Sequence, residues 1–303
     1  MSPVTIRSWQ PADATTIDSL LDRDPDPYWL RERRGRHGIA ARPDRFALTV
    51  VAEEDSGVVG MANMRHNHYH PGRYPAIVEV TPDRRREGIG LLLVTARGAH
   101  RPVPRPLAVR LRDANRTAMH FAAALGMRAY QHCPGVTLDP TDRAVQTWAG
   151  DQAPPLGADL VALDSVQPQQ AVVAAVDYYS WVHQHWSPMG DRDRIVALWS
   201  QFVKDADRQL ASLAVVADRI AAICLVWVED GNAEAIAETA TRDQPYGTEL
   251  VAACVARSLS RLGKAGVAGI QFDGHDDDPH LTPVINAIPN VRRDPVSLLE
   301  LSP

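Results

Sequence analysis

The segment Arg84-Arg85-Arg86-Glu87-Gly88-Ile89-Gly90 combines three cations with two glycines, residue types that together suit the holding of a small anion. Ahead of it, Ala76-Ile-Val-Glu-Val80 reads as a β-branched strand stopped by Pro82. Behind it, Leu91-Leu-Leu-Val94 reads as an apolar helix opening around Gly88. A strand that turns through glycines into a helix leaves the first helical N–H groups unpaired and aimed into one concavity, where phosphate binds. Gly88 and Gly90 lack Cβ and so let an anion approach the main chain.

Spacing separates the loops that do this. A P-loop needs Lys-Ser/Thr after its last glycine, and none follows Gly90; a dinucleotide-binding turn needs a third glycine where Leu93 stands. What fits is Arg/Gln-x-x-Gly-x-Gly/Ala, as Arg85-Arg86-Glu87-Gly88-Ile89-Gly90. This resembles the acetyl-CoA pyrophosphate loop of the GNAT superfamily of N-acyltransferases. Downstream, Leu107–Arg112 reads as the next strand and 113–127 as a helix closed by Gly126. Asn115, Ala118 and Gly126-Met127 match the family's Asn-x-x-Ala and Gly-Phe spacings.

The resemblance implies a role for each matching position. The main chains of Val78 and Val80 would pair with the pantetheine arm, and Arg85, Arg86, Glu87, Gly88, Ile89, Gly90 and Leu91 would cradle the pyrophosphate. Asn115 would touch the pantetheine or phosphate arm, and Phe121 would pack against the cofactor. Glu79, on the strand face opposite Val78 and Val80, is the expected base for the incoming amine, with a solvent-facing filler as the alternative. The family's thiolate-protonating tyrosine falls at Ala122. His120, Tyr130 or water could replace it, or acetyl-CoA could be bound without turnover.

The elements around this loop come in a matching order. Residues 4–8 read as a strand, 11–22 as a helix, and Phe46–Ala52 with Gly57–Met64 as a hairpin. Residues 28–42, around Trp29, form a basic segment whose Arg31, Arg33, Arg34 and Arg36 could serve an acceptor site, the cofactor's 3′-phosphate, or only a solvated face. His66, His68 and His70 stand at alternate positions in a Pro/Gly-containing loop. Metal binding, acceptor contact and an incidental surface role all remain open for them, and no metal is expected.

The second half looks like a worn copy of the first. Setting Gly88 against Gly247 places Ala76, Glu79 and Leu91 opposite Ala235, Glu238 and Leu250. Gln244-x-x-Gly247 survives, but Glu249 replaces Gly90 and puts a carboxylate where pyrophosphate would lie. The acidic run 273–278 takes the place of Asn-x-x-Ala and reads as a solvated turn or a lure for a cationic amine. The expected fold is therefore α/β (α+β): two GNAT-like domains, each a mostly antiparallel mixed sheet flanked by helices. The Pro/Gly-rich stretch 149–157 places their boundary near residue 152, giving a catalytic domain over 1–152 and a degenerate one over 153–303.

The chain's 303 residues suit two domains, and no apolar run reaches the length of a membrane span. A net charge of −5 argues against a nucleic-acid partner, and the start of the chain does not resemble a secretory leader. Cys133, Cys224 and Cys254 are too scattered for a disulfide framework or zinc site, so buried free thiols in a cytoplasmic protein are expected. Arginine outnumbering lysine, with abundant alanine, is compatible with a bacterial source. The function implied is an N-acetyltransferase that uses acetyl-CoA as cosubstrate and acts on a small-molecule amine such as an amino sugar, amino acid or antibiotic. The alternatives are a protein N-terminal or lysine acetyltransferase and a non-catalytic acetyl-CoA-sensing module. A monomer or homodimer is expected, with no membrane partner.

Overall fold

The computed structural model describes residues 3–21, 37–40, 46–98 and 100–303. Trp29, Arg31, Arg33, Arg34 and Arg36 lie outside the described residues. The chain forms two compact units that interleave along the sequence. The first takes Met1–Arg110, Thr117–Arg128 and Leu299–Pro303, and the second takes Leu111–Arg116 and Ala129–Leu298.

The elements run β1 (Thr5–Ser8), α1 (Ala14–Leu21), β2 (Ala47–Glu54), β3 (Gly57–Arg65), β4 (Tyr74–Val80), α2 (Ile89–Gly98), β5 (Leu107–Arg112), α3 (Arg116–Ala124) and β6 (Arg128–Cys133). They continue with β7 (Val136–Leu138), α4 (Arg143–Gly150), β8 (Ala158–Ala162), α5 (Pro168–His183), α6 (Arg192–Asp205), β9 (Ser212–Val216) and β10 (Arg219–Glu229). The last are β11 (Asn232–Thr239), α7 (Gly247–Ala265), β12 (Gly269–Phe272), α8 (Leu281–Ala287), β13 (Arg292–Arg293) and β14 (Val296–Leu301). One seven-stranded sheet has the order β1-β2-β3-β4-β5-β14-β6 and the other β13-β7-β12-β11-β10-β9-β8. Both are mixed and mostly antiparallel, as expected: β4 with β5 and β11 with β12 are the parallel pairs.

In the first unit the alternation along β4 sends side chains to two layers. Val78 and Val80 pack with Ile89 and Leu93 of α2 over Val50, Ala52, Val59 and Ala62, while Ile77 faces Ile17 and Leu21 of α1. In the second unit, Leu250, Val251, Cys254, Val255, Leu259 and Leu262 form an i, i+4 stripe on α7, buried against the sheet. Cys133, Cys224 and Cys254 are buried, and burial pushes the Cys224 thiol up to about 12.

Several elements differ from expectation. The helix expected over 113–127 is α3, three residues shorter at each end, because Gly126 at φ 73° closes it with Met127 N–H on Ala122 C=O. The stretch read as a linker begins inside α4, which Asp142 caps by accepting from the N–H groups of Ala144 and Val145. The compact units also divide elsewhere than at residue 152. Although it lies within the 1–152 expected for the first domain, β7 pairs antiparallel with β12 of the second unit. The passage from one sheet to the other lies at Pro134-Gly135, between β6 and β7, where Gly135 at φ 57° has the Asp294 carbonyl against its Cα. The chain's last residues in turn pack in the first unit: Leu301 lies against Met64, Tyr74 and Leu107, and Glu300 pairs with Arg73 at 2.7 Å.

That return makes residues 299–303 structural. Deleting Leu299–Pro303 removes the Glu300 carboxylate from Arg73 and uncovers the Met64–Tyr74–Leu107 face. The expected loss is at least about 2 kcal/mol of stability, read as a lower denaturant midpoint; an unchanged midpoint would show that the first unit does not use this segment.

Candidate functional site

The site grows from the parting of two parallel strands. β4 and β5 pair only at Tyr74–Leu107 and Pro75–Ala108, and from Ala76 onward β4 runs on without β5 beside it. On the other edge it pairs antiparallel with β3 from Ala76 to Val80. The direction of its backbone groups follows from two hydrogen bonds. Thr81 N–H reaches β3 at Val59 C=O, and Tyr74 N–H reaches the opposite side at Pro106 C=O. Alternation then turns the main chains of Val78 and Val80 into the opening, and that of Glu79 toward β3. The two valines expected to meet a pantetheine arm thus present their backbones to the gap.

Beyond Val80 the chain makes a short 3₁₀ turn at Pro82–Arg84 and enters α2. The first bond across the helix start runs from Leu92 N–H to Gly88 C=O at 3.1 Å, so the N–H groups from Gly88 to Leu91 are the unsatisfied donors of the helix. Gly88 has φ 82°, and a Cβ there would meet nothing within 4 Å, which leaves the approach open. Arg86 also has a positive φ, 70°. At Gly90 the space a Cβ would take is bounded by the Phe121 ring, with Cζ 3.0 Å away. Phe121 therefore packs on the loop glycine. Ile89 is buried in the core, whereas Leu91 is exposed and contributes to the nest only through its main chain.

The three arginines have different partners. Arg84 is held by Glu54 and by Glu87, the latter at 2.9 Å, which raises its already high pKa and makes it a brace for the loop. Arg85 turns back along the strand, with Nε donating to Val80 C=O at 3.0 Å and Nη2 to Glu79 Oε1 at 2.9 Å. Arg86 is exposed, and no carboxylate among the described residues pairs with it. Glu79 is thus the ion-pair partner of Arg85.

Other expected residues stand apart from this cluster. Asn115 lies just ahead of α3, its N–H on Arg112 C=O. Ala122 is buried, leaving no phenol at the family's tyrosine position; His120 is exposed, and Tyr130 packs 6.1 Å from the Trp186 ring. His66, His68 and His70 sit in a turn where the Asn67 side chain accepts from the N–H groups of Tyr69 and His70. They do not share a strand face. Among the described residues no group of three or more His, Cys, Asp or Glu is arranged to hold a metal.

The corresponding place in the second unit is built on the same plan and filled. β11 pairs with β12 over Asn232–Ala235 and then runs on to Thr239 without β12, still paired with β10 on its other edge. Thr239 C=O, which matches Val80 C=O, accepts the Trp181 indole N–H at 3.1 Å. Glu238, which matches Glu79, is fully buried. It accepts from Thr239 N–H at 2.7 Å and Leu281 N–H at 3.2 Å, and bonds His280 Nδ1 at 2.6 Å. The His280 ring lies directly on Gly247, so that any Cβ there would overlap it. Glu249 is exposed at the start of α7. Nearby, the acidic run is only partly a solvated turn: Asp276 and Asp277 are exposed, but Asp278 is buried and accepts from His275 N–H at 2.8 Å. Burial disfavours the His275 imidazolium, yet the Asp278 hydrogen bond and the charges of Asp278, Asp273 and Asp277 outweigh it and raise the His275 pKa. Burial likewise raises that of Asp278.

Trp181 and His280 were not legible as site residues. His280 lies 42 positions from Glu238, and only the fold brings them together.

No protein-family model matches the chain, and no curated protein matches it. Solved structures do match. A GCN5-related N-acetyltransferase from Sphaerobacter thermophilus superposes with a TM-score of 0.65 at 17% identity, covering 100% of this chain and 97% of that one. A tandem GNAT protein from the clavulanic acid biosynthesis pathway gives 0.61 at 18%, covering 98% of each chain. A GCN5-related glucosamine N-acetyltransferase region of a fungal multi-domain β-N-acetylglucosaminidase gives 0.61 at 13%, covering 99% of this chain and 38% of that one. The chain therefore has the fold of the GCN5-related N-acetyltransferases along its whole length.

Two outcomes follow for the second unit. Gly247→Ala forces its Cβ into the His280 ring and is expected to cost about 1–3 kcal/mol in chemical denaturation; an unaffected midpoint would mean that the ring lies elsewhere. A raised pKa for His275 contributes stability that is complete below the ordinary imidazole value and is lost as pH rises through the folded-state value. Asp278 acts in the same direction at lower pH. The unfolding free energy should therefore decline as pH rises above the ordinary imidazole value of about 6.5, and the decline should flatten in His275→Gln.

Proposed function

We propose that the protein is an acetyl-CoA-dependent N-acetyltransferase with one cofactor site, in the first unit, that acetylates a primary amine of a small molecule by direct transfer. The observation that carries this reading is the open parting of β4 from β5. There the Val78 and Val80 main chains face the gap and lead into unsatisfied helical N–H groups at Gly88–Leu91. The residues fit the group: an extended amide-bearing arm needs main-chain partners, and a diphosphate needs donors without side chains in the way. Arg86 adds charge at the same turn. Bound acetyl-CoA supplies an acyl group activated as a thioester.

Within this reading, Glu79 takes the proton of the attacking amine and Val78 and Val80 orient the cofactor arm. Ala122 offers no acid to the departing thiolate, which is tolerable because a thiolate leaves without full protonation. The acceptor class proposed is an amino sugar, amino acid or antibiotic, and the protein is proposed to act in the cytoplasm as a monomer or homodimer. Among the described residues no helix is long and apolar enough to cross a membrane. The missing phenol favours one rival reading, an acetyl-CoA sensor that never turns over.

Calorimetric titration of acetyl-CoA into the full chain separates these readings, together with an amine-library screen. The expected result is one site per chain, with turnover reduced about 10²–10⁴-fold in Glu79→Gln while cofactor binding survives. Two sites would overturn the reading of the second unit as closed. Binding without turnover on any amine would favour the sensor.

A further inference from the structure

The contact that stands out in the first unit is Arg85 lying across the two groups the reaction needs. Its guanidinium bonds Val80 C=O through Nε at 3.0 Å and Glu79 Oε1 through Nη2 at 2.9 Å. The neighbouring arginine cannot do this, because Arg84 is fixed by Glu54 and Glu87. Nor does the second unit have such a strap, since the position matching Arg85 is Gln244, whose amide reaches only Pro245 C=O.

We propose that Arg85 is a positioning residue that exchanges partners: it leaves Glu79 and Val80 C=O for the cofactor's diphosphate, and so frees the base and the arm-binding carbonyl only when the nucleotide end is seated. This rests on the reading of the first unit as the acetyl-CoA site. Three observations support the exchange. Arg85 lies in the loop whose N–H groups form the nest, five residues from Val80 and three from Gly88, so a side-chain rotation suffices to redirect it. Its side chain is 40% exposed and that of Glu79 is 19% exposed, so the pair is a surface ion pair, a class of interaction that contributes little. A diphosphate offers the same guanidinium stronger, charge-assisted bonds in a bidentate geometry. The consequence is order: the nucleotide end docks first, and Glu79 leaves its ion pair with Arg85 only afterwards.

Calorimetric titration of CoA, which cannot turn over, into the full-length wild type, Glu79→Gln, Arg85→Gln and the double variant tests this. If Glu79 competes for Arg85, Glu79→Gln binds CoA about two- to fivefold more tightly than wild type, Arg85→Gln binds less tightly, and the gain disappears in the double variant. The same pattern is expected with 3′-phospho-ADP, which carries the diphosphate and no pantetheine arm. Unchanged or weaker binding by Glu79→Gln overturns the exchange. So does an equal gain in the Arg85→Gln background, which would reflect only the loss of a negative charge. Wild type that binds no CoA overturns the site reading, and this inference falls with it; wild type that binds while Glu79→Gln shows no gain removes this inference alone.

Discussion

Where two parallel strands part inside a sheet, a backbone carbonyl is left facing a gap, and a half-buried carbonyl must find a donor. In the first unit that carbonyl belongs to Val80 and its donor is the exposed guanidinium of Arg85. In the second it belongs to Thr239 and its donor is the indole of Trp181 on α5. The difference between the two copies follows from this choice. A flexible charged donor can be exchanged for a ligand; an indole held in the packing between helix and sheet cannot leave without unpacking its neighbours.

The second copy completes the closure with electrostatics of a different kind. Glu238 is fully buried and would be strongly destabilising alone, yet main-chain N–H groups and His280 satisfy it from several directions. Such a carboxylate is structural: it ties the end of β11 to the start of α8, and it holds the His280 ring over Gly247. Glu79 occupies the same strand position with the exposed Arg85 guanidinium in front of it. The same acid on the same strand is thus a rivet in one unit and half of a surface ion pair in the other, and the surroundings decide which.

Much of this was legible in the sequence because it is local. The β-branched run ending at Pro82, the glycines at 88 and 90 and the apolar helix behind them are short-range signals, and the parity of Val78 and Val80 follows from strand alternation alone. The duplication was visible because Gly247 and Glu238 keep their spacing. What was hidden depends on contacts distant in sequence. Nothing near Val136–Leu138 says that it will pair with β12, and nothing near Leu301 says that it will pack on Tyr74, since both segments are only short apolar strands until a sheet edge selects them. The weight given to Glu249 as the block in the second nest was an incomplete explanation for the same reason. Its side chain is exposed, and the ring on Gly247 comes from a residue far along the chain.

The arginine cluster, which first marked the loop, has a subtler role than its composition implies. Its three cations, Arg84, Arg85 and Arg86, stand with four carboxylates, Glu54, Glu79, Asp83 and Glu87, so the loop carries a formal charge of −1 (three minus four). Such a loop in a chain of net charge −5 cannot draw an anion by long-range attraction, and screening at physiological salt weakens what remains. On the proposed reading, anion binding rests on short-range donors, the N–H groups of Gly88–Leu91, and on a cation that changes partner on contact. That arrangement favours a ligand that reaches the nest and the guanidinium together, such as a diphosphate, over a single carboxylate or chloride that can satisfy only one of them.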